Sequence, residues 1–161
     1  MSQKVMSEMQ VKNVGEIKLI GYRVICAGEK YIEEIPKAAE LLKQRTNEIK
    51  NVLNAGQQIG AFIVDAPSPE MDGYWICVQV SQYETIPENM VALTIPPQRY
   101  AAIFHNGPNV QIRNSYEHLH TWIAEQGYTR SDESWNLEIY QIDNNPENPL
   151  DVRVELYDSI L

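Results

Sequence analysis

The sequence predicts an α+β fold: two βαββ units related by a pseudo-two-fold axis, with antiparallel sheets and a ligand groove between them. Three observations carry that prediction. Two stretches place apolar residues at helical spacing and close on a glycine. Each is preceded by one run rich in β-branched residues and followed by two more. The order strand–helix–strand–strand therefore occurs twice, at an offset of about 78 positions when the halves are aligned. In that alignment Gly28 falls near Gly107, and the strand at 59–65 falls on that at 137–143.

Residues 1–16 are polar and aperiodic and read as an N-terminal arm. That leaves one domain over 17–161, with repeat units at about 17–83 and 90–161. "IKLIGYRVIC" (17–26) fits a strand, and "IPKAAELLKQRTNEIKNVL" (35–53) a helix with Pro36 in its first turn and Gly56 as its stop. Strands at 59–65 and 73–83 follow, joined by the turn-rich "APSPEMDG". The second unit opens with "MVALTIP" and "QRYAAIFH", separated by Pro96 and Pro97. "VQIRNSYEHLHTWIAEQG" (110–127) is an amphipathic helix closed by Gly127, and "NLEIYQI" and "DVRVELYDS" are the last strands, joined by "DNNPENPL".

A net charge of −9 speaks against direct nucleic-acid binding, which needs clustered Lys and Arg. No apolar run approaches the ~20 residues of a membrane span, and "MSQKVMSEMQ" lacks the apolar core of a secretory signal. Cys26 and Cys77 lie in apolar runs without metal or redox spacing, so they read as reduced thiols and the chain as cytoplasmic. His118 and His120 stand two apart on a helix and do not share a face, and His105 has no evident partner, so no metal site is expected. There is no nucleophile elbow and no glycine-rich phosphate loop, and no cofactor is implied.

One acid is out of keeping with its surroundings. Glu138 lies inside the strand-like "WNLEIYQID", and strand parity puts it on one face with Tyr140. In the other strands, Tyr74, Ile76 and Val78 share a face, and Trp75 and Cys77 the opposite one. Arg153, Glu155 and Tyr157 likewise form a mixed face. The expectation is that apolar faces meet the helices and mixed faces line the groove. Trp75, Glu155 and Tyr157 then become groove candidates beside Glu138 and Tyr140. Tyr100 and Phe104 share a face that could be core or groove, whereas Trp122 and Tyr116 fall near the helix's core stripe. The bland alternative is that Glu138 pairs with Arg153 or Arg99, or faces solvent.

"MVALTIPPQRYAAIFHNGP", a helix, then "LEIYQI" and "VRVELY" resemble the GyrI-like effector-binding domain, which stands alone or is fused to AraC-type and MerR-type regulators. The resemblance covers the chain from about Ile17 onward. It implies a pseudo-symmetric groove in which a buried glutamate, falling on Glu138, meets lipophilic aromatic cations, with aromatic walls and a second acid at Glu155. Gly107 replaces an aromatic found in some multidrug binders, so pocket shape does not carry over. With no helix-turn-helix before the domain, a regulatory role would act through a separate partner.

Three function classes follow. The first is a binding module for hydrophobic, cationic small molecules, with Glu138 as charge anchor and Trp75 and Tyr140 as stacking surfaces. The second is a hydrolase of reactive small molecules, with Glu138 as base and Tyr140 as hydrogen-bond donor. The third is an inhibitor of a protein partner of the topoisomerase type.

Overall fold

In the computed structural model the described residues are 9–142 and 151–161. The joining segment 143–150 thus lies outside them. The strands are β1 (Gln10–Val14), β2 (Ile17–Val24), β3 (Gln57–Ile63), β4 (Tyr74–Val80), β5 (Val91–Ile95), β6 (Gln98–Pro108), β7 (Trp135–Gln141) and β8 (Asp151–Ile160). The helices are α1 (Tyr31–Arg45) and α2 (Ile112–Glu125).

All eight strands join one antiparallel sheet in the order β1-β6-β8-β7-β3-β4-β2-β5. Outward from the central β7–β3 pair, each half runs the second, third and first strands of its strand–helix–strand–strand unit and then an edge strand. At the centre Gly60 lies directly opposite Glu138. The two halves therefore share one sheet. β1 is an element the sequence pattern did not signal. The backbone ladder to β6 holds it, with Val11 packed on the α2-side cluster and Val14 on the inner core, so it shows no simple alternation of apolar and polar residues.

The sheet is strongly curled. β1 and β2 stand six places apart in the strand order, yet only Gly15 and Glu16 connect them; Pro96 and Pro97 do the same for β5 and β6. Six flat spacings would be about 29 Å, whereas such a link reaches about 11 Å. The inward face closes into a core of Trp75, Trp135, Leu137, Tyr100, Tyr157, Ile17 and Ile95 among others. The helices pack on the outward face, α1 over Ile20, Ile76 and Val78, and α2 over Ile103, Val154 and Leu156.

The helix bounds differ from the sequence pattern at α1. It starts at Tyr31 and ends at Arg45, so Pro36 is its sixth residue and Gly56 lies beyond its end. The chain leaves the helix at Arg45 (φ −114°, ψ 6°) and makes a 3₁₀ turn over Thr46–Glu48. Ile49 is already extended, and it reaches the core from outside the helix. α2 ends as expected, with Gly127 at φ +81°, a backbone conformation that suits glycine.

Candidate functional site

Glu138 stands in the middle of β7, the fourth of eight strands, and is 9% exposed. Three tyrosines from three elements converge on it. The Tyr74 hydroxyl from β4 donates to Oε1 at 2.6 Å, and the Tyr116 hydroxyl from α2 donates to Oε2 at 2.5 Å. Tyr140, two residues along β7, donates to Oε1 at 3.2 Å. A carboxylate is acceptor-only and a phenol is a good donor, so the arrangement is satisfied on both sides. Among the described residues no Lys, Arg or His forms an ion pair with Glu138; Arg99 instead donates to the Leu161 carbonyl.

Gly60 makes this geometry possible. A Cβ there would come within 1.8 Å of the Tyr74 hydroxyl oxygen. The missing side chain lets the phenol lie over β3 and reach Glu138 on the next strand. Burial raises Tyr74 and Tyr116 well above the ordinary phenol range, and the neighbouring Glu138 charge adds to it. Tyr140 is raised by the same two causes. All three are held as proton-bearing donors.

Tyr140 also borders a cavity of about 820 Å³. One wall is α1, with Tyr31, Ile35 and Ala39; the floor includes Ile76 and Gln58, and the far wall is formed at Ile142, Val152 and Arg153. Its size suits a drug-sized organic molecule, and its walls are mainly apolar with a few polar groups. Ile76, Gly60 and Glu138 lie in one register row across β4, β3 and β7, so cavity floor and buried acid are on the same face.

The sequence profile of the GyrI-like small molecule binding domain matches residues 7–158. This chain belongs to the GyrI-like family. Among solved structures the GyrI-like chain is similar to the EcmrR C-terminal domain (20% identity, TM-score 0.70, 98% of this chain and 99% of that one). It spans 57% of the EcmrR chain seen in a complex with DNA. SAV2435 bound to tetraphenylphosphonium is similar over 96% of this chain and 94% of that one, at 14% identity and TM-score 0.68. A structure described as a hydrolase from Listeria innocua matches over 96% of this chain and 92% of that one, at 12% identity and TM-score 0.55. At such identities the likeness is one of fold. No curated protein sequence matches the chain.

Of the residues singled out in the sequence of this GyrI-like domain, the structure brings Glu138 and Tyr140 together. The other five stand on the opposite face. Trp75, 5% exposed, packs edge-on against Trp135 with the Arg23 guanidinium over its ring. Tyr100 and Tyr157 face each other in the inner core, and Glu155 meets Lys12 at 3.6 Å. Phe104 is paired with Glu155 in register and shares that face. The expectation that the mixed face forms the groove is thus corrected. Curling packs Trp75, Tyr100 and Tyr157 of that face into the inner core and leaves Phe104 and Glu155 partly exposed at its end. The helices and the cavity share the other face.

Tyr74 and Tyr116 belong to the site, although sequence reasoning assigned both to apolar packing faces. Gly60 was the available signal for Tyr74, since a glycine inside a strand often marks close approach by another group. Two of the three histidines bond to near neighbours in the fold. His105 bonds to Ser115 and to the Pro108 carbonyl, and His120 meets Asp158 at 2.7 Å. Among the described residues no group of His, Cys, Asp and Glu is placed to hold a metal, and no helix is long and apolar enough to cross a membrane.

Proposed function

We propose that this domain binds lipophilic aromatic cations in the cavity beside α1, with Glu138 supplying the opposing charge. One observation carries the reading: a buried carboxylate beside a large apolar cavity takes three phenol hydrogen bonds and, among the described residues, no ion pair. Neutral donors replace the hydration of a carboxylate without cancelling its charge. A cation entering the cavity supplies what the protein has left out. At an effective dielectric constant of about 20, unit charges about 5 Å apart attract by roughly 3 kcal/mol. The faces of Tyr140 and Tyr31 add cation–π attraction of about 0.5–2 kcal/mol each. The likeness to SAV2435, solved with tetraphenylphosphonium, supports the same ligand class.

Calorimetric titration of wild type and Glu138→Gln with tetraphenylphosphonium and a neutral isostere tests it. The substitution is expected to weaken the cation by more than tenfold and to leave the neutral compound nearly unaffected. Equal losses for both would remove the charge-anchor role.

A second reading, hydrolysis of a small molecule with Glu138 as base, has support in the fold likeness to structures described as hydrolases. It requires substrate or water to displace a phenol from the carboxylate, because all three hydroxyls already converge there. Recovery of every titrated ligand unchanged would count against it; a product that disappears in Glu138→Gln would favour it.

A further inference from the structure

We infer that the cavity selects cations bearing N–H groups over fully substituted ones, through an acceptor on Gln58. The inference rests on the cation reading above and names the subclass of cation.

Gln58 is on β3, directly opposite Tyr140 on β7 and two residues from Gly60, so it shares the face of Glu138. Only 3% of it is exposed, yet it lines the cavity. Its Nε2 donates to the Ala39 carbonyl of α1 at 2.9 Å. That bond settles which way the amide points, because a carbonyl can only accept and the atom facing it must be the NH₂. Oε1 is therefore turned away from α1. Among the described residues nothing donates to it.

Among the described residues the fully buried side-chain oxygen without a partner is that of Tyr100. Gln58 Oε1 therefore keeps accessible surface where the residue lines the cavity, and a ligand that covers it without supplying a donor strips its hydration at a cost. Gln58 and Glu138 are diagonal neighbours across the β3–β7 ladder, and such Cα atoms stand about 7–8 Å apart. One planar head group can span side chains at that spacing. An amidinium, guanidinium or protonated amine brings charge for Glu138 and an N–H for Gln58. A quaternary ammonium or phosphonium brings only the charge, and its substituents leave Oε1 dry and unpaired. The two acceptors thus read the ligand differently: Glu138 reads charge, Gln58 reads protons.

The test is a matched pair of probes, 4-biphenylamidinium and 4-biphenyltrimethylammonium, titrated calorimetrically into the full chain at pH 7. Wild type is expected to bind the amidinium about tenfold or more tightly, the scale of one hydrogen bond between a charged donor and a buried acceptor. In Gln58→Met that ratio falls toward one, with thermal melts reporting whether the variant is folded. Equal binding of both probes by wild type overturns the inference without any variant, as does a preference that survives in folded Gln58→Met. Failure of the underlying reading has a separate signature. If Glu138→Gln leaves affinity for both cations unchanged, the charge anchor falls, whatever the ratio between the probes. If wild type binds neither probe, both fall together.

Discussion

Two buried carboxylates on the helix-bearing face of this sheet are satisfied in opposite ways. Asp158 on β8 is 2% exposed and meets His120 from α2 at 2.7 Å and Arg130 at 3.1 Å. Glu138 on β7, among the described residues, meets only phenols. Asp158 has its charge countered by groups that reach the surface, both about a third exposed. Glu138 has its hydrogen bonds filled and its charge left standing. A protein that needed only to bury an acid has Asp158 as the pattern. Glu138 makes sense where the missing cation comes from outside.

The largest expected effect tests whether the three donors must stay neutral. Tyr74, Tyr116 and Tyr140 are raised by burial and by Glu138, and Tyr100 on the inner face is raised by burial and by Tyr157. An unfolded tyrosine ionises near 10. Above that pH the folded protein keeps protons the unfolded chain has lost, so stability falls as pH rises. The contribution is fully present below about pH 10 and is lost above it, at roughly 1.4 kcal/mol per pH unit for each retained proton. Absorbance at 295 nm should show four of the nine tyrosines titrating only as the protein unfolds. Reversible ionisation of all nine near pH 10 in the folded state would contradict the geometry around Glu138.

Next in size are the individual donors. Tyr74→Phe and Tyr116→Phe each remove a short bond to a buried carboxylate, and about 1.5–3 kcal/mol of stability should go with it in urea unfolding. Tyr140→Phe should cost less in stability, since its bond is the longest of the three at 3.2 Å. It should instead be felt in ligand binding, because Tyr140 alone of the three also lines the cavity. An equal stability cost at all three positions would mean that the carboxylate does not distinguish them.

The reach of the sequence follows from what parity can and cannot say. Parity put Glu138 and Tyr140 on one face, and the ladder places them so. Hydropathy put the apolar face of β4 and β8 against the helices, as the structure has it. But parity cannot say which face carries the cavity, least of all where both faces are buried, as along most of β4. Trp75 was therefore assigned to the groove, whereas it lies in the inner core, and Tyr74 was assigned to packing alone, whereas it packs under α1 and also reaches Glu138. The curl is set by two-residue links between strands far apart in the sheet, a pairing that no local pattern encodes. Tyr116 looked apolar because a phenol packs with its ring and bonds with its tip, and only the tip reaches Glu138. β1 has no amphipathic signature because its two packed valines, Val11 and Val14, serve opposite faces and the rest of its hold is the backbone ladder at the edge.

The smallest expected effect is the control that the comparison requires. Burial raises the Asp158 carboxyl above its ordinary range, and Arg130 and His120 oppose that rise without cancelling it. A raised folded value means the folded protein holds this proton where the unfolded chain, titrating near 3.9, has released it. Asp158 therefore contributes stability that is full below the unfolded value and is lost as pH rises through the folded one. At neutral pH its net contribution is small, and Asp158→Asn should cost on the order of 1 kcal/mol or less, since its partners are partly solvated. Its affinity for a cation should stay within about twofold of wild type, while Glu138→Gln loses more than tenfold. A drop in Asp158→Asn comparable to that of Glu138→Gln would mean that the cation responds to the summed negative field of this face. Two acids twenty residues apart would then act as one, and the distinction between a countered and an uncountered carboxylate would not describe how this domain chooses its ligand.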